Sequence, residues 1–80
     1  MMNHRLTEVH ELVRVATLSQ REREVLALVS EGLTAKEIAN TLNIAPKTAG
    51  THVRRIYGKL GVNKAVVAMR VAIRCGLVPV

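Results

Sequence analysis

Phenylalanine and tryptophan are absent from this 80-residue sequence, and Tyr57 is its one aromatic side chain. Single-stranded nucleic-acid binding relies on stacking bases against aromatic rings, so the composition argues against that mode. The core must instead be aliphatic, filled by Leu, Val, Ile and Ala. One cysteine, Cys75, excludes an internal disulfide and reads as a buried or tolerated thiol rather than a redox centre. No apolar run approaches the ~18 residues of a membrane span. Glu8 and Glu11 stand where a secretory signal would need its apolar stretch, so a cytoplasmic protein without membrane association is expected. His4, His10, His52 and Cys75 have no metal-ligand spacing, and neither a glycine-rich phosphate loop nor a nucleophile motif is present. No metal, cofactor, catalytic residue or enzymatic activity is therefore expected.

Acidic residues are missing from a whole half of the chain. Residues 1–45 carry five cations and six glutamates, a net of −1, whereas residues 46–80 carry seven cations and no anion, which together give the overall +6. Such an asymmetry points to a phosphate backbone or an anionic membrane surface, with a merely solvated basic face as the alternative.

Apolar residues make up 49% of the chain, which excludes wholesale disorder, and 80 residues suffice for one domain with a small core. Leu6, Val9, Val13 and Ala16 recur at helical spacing, so residues 1–17 read as a short amphipathic helix or a linker. Ser19 with Glu22, and Thr34 with Glu37, form capping boxes that open helices over 19–30 and 34–42. The first of these should bury Val25, Leu26, Leu28 and Val29, and the second Ile38, Ala39 and Leu42. Gly32 ends the first as a residue that tolerates positive φ. After a turn at Asn43 and Ile44, Pro46 starts a helix over 46–60, where a proline at the first position loses no hydrogen bond. Gly61 stops it, Val62 returns to the core, and Asn63 should cap a last helix over 64–75 that Gly76 ends. Two helices joined by a turn of about three residues make a helix-turn-helix unit. The fold expected is all-α, a compact four-helix helix-turn-helix domain over 18–80, with one extra N-terminal helix as the open alternative.

The helix over 46–60, PKTAGTHVRRIYGKL, has two incompatible faces. Ala49, Val53, Ile56, Tyr57 and Leu60 form one buried stripe. Lys47, Gly50, Thr51, Arg54 and Arg55 occupy the other side, and small residues flanked by cations suit a helix that closely approaches a polyanion. This reads as a recognition helix for the DNA major groove. The last helix is apolar over too wide an arc for one small domain to cover, since Val66 and Ile73 flank one side of its alanine face and Val67 and Val71 the other. A self-association surface is the reading favoured over burial on two sides within the domain.

Residues 18–62, LSQREREVLALVSEGLTAKEIANTLNIAPKTAGTHVRRIYGKLGV, resemble the LuxR/GerE-type helix-turn-helix domain of bacterial transcription regulators. The shared positions include Leu18, Arg21, Glu22, Glu24, Val25, Leu26, Gly32, Lys36, Glu37, Ile38, Ala39, Leu42, Ile44, Thr48, His52, Ile56, Lys59, Leu60, Gly61 and Val62. The resemblance implies sequence-specific binding of double-stranded DNA as a homodimer, with 46–60 in the groove and the last helix as the dimer contact. It implies base-edge contacts from Gly50, Thr51 and Arg54. Backbone contacts would come from Lys36, Thr48, Arg55 and Lys59, with Lys47 beside them, and His52 would lie near a phosphate or pack under the helix. Val66, Val67, Arg70 and Ile73 would form the dimer contact, and RNA polymerase is the further partner that activation would require. The chain departs from the family pattern at Ala45 (usually Ser), Ala49 (usually Val) and Gly50 (usually Lys or another polar residue). Two other readings stand beside this one. One is a sigma-factor-like module that contacts promoter and polymerase; the other is a protein-interaction module that pairs with regulators through its last helix.

Overall fold

The computed structural model describes residues 4–78, with side chains from residue 9 onward. Five helices follow one another, α1 (His4–Ala16), α2 (Gln20–Ser30), α3 (Ala35–Leu42), α4 (Pro46–Leu60) and α5 (Ala65–Arg74), and no strand occurs among the described residues. The fold is all-α, and the helix at the front is present.

Local chemistry explains most of the boundaries. Ser19 and Glu22 exchange hydrogen bonds at the start of α2: the Ser19 N–H donates to Glu22 Oε1 at 2.8 Å, and the Glu22 N–H donates to Ser19 Oγ at 3.1 Å. Thr34 and Glu37 do the same at the start of α3, at 2.8 and 3.2 Å. Each box satisfies two amide donors that a helix N-terminus leaves orphaned. Asn43, at φ 56°, takes the left-handed conformation that ends α3 and turns the chain toward α4. Ala45 caps α4 without a side-chain oxygen, which forgoes about 1 kcal/mol relative to Ser. Gly61, at φ 69°, closes α4, and the Val62 N–H bonds back to the Tyr57 carbonyl at 3.0 Å.

One expectation needs correction. Asn63 does not cap the last helix: Lys64 occupies that position, in extended backbone and with no side-chain cap bond. The Val62 return to the core and the burial of Ala68, Val71 and Ala72 set where α5 begins, and they override the better capping chemistry of Asn63. The helix read over the front of the chain is present as α1, and its apolar stripe faces away from the core. Val9 and Val13 are 51% and 60% exposed, and Ala16 is exposed too, while Val15 is buried at 5%. Leu6 has its side chain outside the described residues. The inner side of α1 carries Glu11, Val15 and, just beyond its end, Leu18, roughly opposite the Val9–Val13 stripe. Tertiary partners decide this face: among the described side chains, Glu11 pairs with Arg74 of α5 and Arg14 bonds the Leu60 carbonyl of α4, both away from Val9 and Val13.

The core is aliphatic, and Val25, Leu26, Ile38 and Ile56 are its largest fully enclosed side chains. Leu28 and Leu42, expected inside, are half-buried and pack against it. α2 lies against both α4 and α5, and α3 packs on α4. Ala39 and Ala49 are buried in that α3–α4 pair, where small side chains let the two helices approach closely.

Candidate nucleic-acid interface

The polar face of α4 begins with Lys47 and Thr48, both exposed in its first turn, with Gly50 and Thr51 half-buried behind them and Arg54 and Arg55 exposed further on. Helical side chains lean toward the N-terminus, and Arg54 follows that rule. Its Nη2 donates to Thr51 Oγ1 at 3.2 Å, and Thr51 Oγ1 in turn donates to the Lys47 carbonyl at 3.0 Å. A Cβ built on Gly50 would lie 3.6 Å from Arg54 Nη1. Gly50, Thr51 and Arg54 therefore form one continuous patch, with the guanidinium laid over the glycine and held by the threonine.

Counter-charges are absent from that patch. Ion pairs between described residues join Arg21 to Glu24, Lys59 to Glu22 and Arg74 to Glu11, and none engages Lys36, Lys47, Arg54 or Arg55. Lys36 sits exposed in the first turn of α3. A cation there opposes the helix dipole, so helix stability does not account for it.

Lys59 behaves differently. Its Nζ donates to Glu22 Oε1 at 2.7 Å and to the Thr17 carbonyl at 3.1 Å, so two of its three donors are committed to the fold. Glu22 is only 4% exposed. The Lys59 ammonium, followed by the Ser19 amide, holds its carboxyl below the ordinary carboxylate range. Glu11 is likewise lowered, first by the hydrogen bond from Arg74, against an opposing desolvation effect. Both groups ionise more readily folded than unfolded. Their stabilisation is complete above the ordinary value of about 4.3 and is lost as pH falls through the lowered folded values. The urea midpoint followed by circular dichroism is accordingly expected to drop between pH 5 and pH 3, and to drop less in Glu22→Gln.

His52 is half-buried, with Nδ1 enclosed and without a hydrogen-bond partner among the described residues. On α5, Ala68, Val71 and Ala72 face the core. Val66, at 47% exposed, shares the outward side with Arg70 and Ile73, while Val67 lies nearer the core edge and is half-buried. Met69, Ile73, Leu77 and Val78 border an apolar groove against Ala27 and Ser30 of α2.

Sequence reasoning gave Glu22 a capping role alone and assigned Lys59 to a phosphate; no local signal joins residues 37 apart. It also missed Arg14, whose Nη1 donates to the Leu60 carbonyl at 3.3 Å, and the Glu11–Arg74 pair. A further ion pair, Arg21 with Glu24, lies along α2 at 3.3 Å.

The sequence pattern described as bacterial regulatory proteins, luxR family, matches residues 16–72. HTH-type transcriptional regulators MalT from two strains of Klebsiella pneumoniae are each 45% identical to the chain over 62 residues, or 78% of this chain. That alignment covers 7% of their own length, so the chain spans less than a tenth of these curated relatives.

Proposed function

Because the chain belongs to the luxR family of bacterial regulatory proteins, we propose that it binds double-stranded DNA sequence-specifically as a homodimer and thereby regulates transcription in the bacterial cytoplasm. The observation that carries this reading is the acid-free face of α4, whose Lys47, Arg54 and Arg55 make no ion pair with any described residue although glutamates pair elsewhere on the same domain. Leaving cations unpaired in one band is of use where phosphates supply the counter-charge.

In this mechanism α4 enters the major groove. Arg54 offers its fork to the O6 and N7 of a guanine, the pairing that best suits a guanidinium. The Thr51 hydroxyl restrains Arg54 along the helix before contact, and Gly50 lets the backbone come close to the base edges. Lys36, Lys47, Thr48 and Arg55 fix the register on phosphates, which position the protein without reading sequence. His52 supports the helix from beneath. Lys59, for which the resemblance implies a phosphate contact, serves mainly to tie α4 to Glu22. Val66, Arg70 and Ile73, with Val67 at the margin, join two copies so that their α4 helices enter successive major grooves about 34 Å apart. Bound protein then recruits or blocks RNA polymerase.

Gly50 provides a test of the geometry. A side chain there meets Arg54 only at ordinary contact distance, so the helix accommodates one. Gly50→Lys adds a cation to the groove face and removes a helix-interior glycine worth about 0.5–1 kcal/mol relative to Ala. Tighter binding is expected in an anisotropy titration against duplex DNA, with a salt slope steeper by about 0.9. Unchanged or weaker affinity would show that this face does not meet DNA.

A further inference from the structure

We propose that α1 is a clasp that fixes the reading helix α4 relative to α5, with Arg14 and Glu11 as its positioning residues. The inference rests on the DNA-binding reading above and deepens it, because α4 and α5 are there the reading and pairing helices.

Arg14 and Glu11 lie upstream of the family match, which begins at residue 16. Arg14 reaches across 46 residues to donate to the Leu60 carbonyl, the last of α4. There it meets the partial negative charge of a helix C-terminus. The same guanidinium covers the turn that joins α4 to α5: a Cβ on Gly61 would lie 2.7 Å from Arg14 Nη1. One helical turn earlier, Glu11 receives two hydrogen bonds from Arg74 at the end of α5, at 3.0 and 2.6 Å, and its side chain is only 15% exposed. Two adjacent positions on one face of α1 thus hold the start of the α4–α5 turn and the far end of α5. Bidentate carboxylate–guanidinium pairs fix direction as well as distance. In a dimer joined through α5, a change in the angle between α4 and α5 in each copy alters the spacing of the two reading helices. Contacts that restrain that angle therefore set which half-site spacing is bound.

The test uses duplexes carrying the sequence recovered by selection from a random pool. One has its half-sites at the selected spacing, a second has them moved apart by about half a helical turn (~5 bp), and a third carries a single half-site. Wild-type protein is expected to discriminate strongly between the first two. Arg14→Ala and Glu11→Gln are expected to reduce that discrimination severalfold while leaving affinity for the single half-site nearly unchanged, and Arg14→Lys to restore it. Glu11→Gln keeps the side-chain shape, so it remains informative if Arg14→Ala fails to fold. Equal weakening on one and two half-sites, or an unaltered spacing preference in both variants, overturns the clasp. Wild-type protein that binds none of the three duplexes overturns the DNA-binding reading itself, and the clasp with it.

Discussion

Replacing Ile56 by alanine is expected to lower the unfolding free energy by about 2–5 kcal/mol, the range for truncating a fully buried aliphatic side chain. Ile56 is 0% exposed and stands at the middle of the inner stripe of α4, between Ala49 and Leu60. It belongs to one aliphatic cluster with Val25, Leu26 and Ile38. With no phenylalanine or tryptophan and a single tyrosine in the chain, few large side chains remain to collapse into the vacated volume. A domain of this size has a total stability toward the low end of about 5–15 kcal/mol, so the substitution removes much of it. Urea unfolding followed by circular dichroism is the measurement. Val53→Ala is the internal control, since Val53 is half-buried on the same helix and should cost clearly less. Equal costs would mean that the buried stripe of α4 has been placed in the wrong register.

Arg54→Ala should have the largest effect on recognition and almost none on folding. Arg54 is exposed and, among the described residues, makes one hydrogen bond, to Thr51. A good bidentate pair with a base contributes about 1–3 kcal/mol of discrimination. That corresponds to roughly a tenfold to hundredfold loss of preference for the selected sequence, at ~1.4 kcal/mol per factor of ten. Arg55→Ala provides the contrast. As a phosphate contact it should weaken binding to every duplex alike and lower the salt slope by about 1. If the two substitutions behave identically, Arg54 is a phosphate contact and the base readers lie elsewhere.

Much of the fold was legible in the sequence wherever the signal is local. Ser19–Glu22 and Thr34–Glu37 announce helix starts within four residues, and both boxes form. Gly61 marks a helix end because few other residues accept its φ. The inner stripe of α4 could be read because an amphipathic helix carries its own record of which side is buried. What could not be read depends on contacts distant in sequence. Val9 and Val13 have the spacing of a core stripe, yet the partners of α1 lie on its other side, where Glu11 and Arg14 find Arg74 and the Leu60 carbonyl. Lys59 reads in the sequence as one more cation on a DNA-facing helix, and its pairing with Glu22, 37 residues away, leaves no local signal. Asn63 lost the cap to Lys64 because burial of α5 outweighs a single capping bond. In each case local propensity yielded to packing.

Fluorescence anisotropy of the protein with a random pool of duplex DNA over a range of salt, followed by selection of the bound sequences, tests the central claim most directly. The account predicts affinity that falls steeply with salt and enrichment of an inverted repeat whose half-sites lie about one helical turn apart. It also predicts that Arg54→Ala abolishes the enrichment. A folded protein that fails to bind duplex DNA even at low salt would contradict it, and would make the apolar side of α5 and a protein partner the object of study.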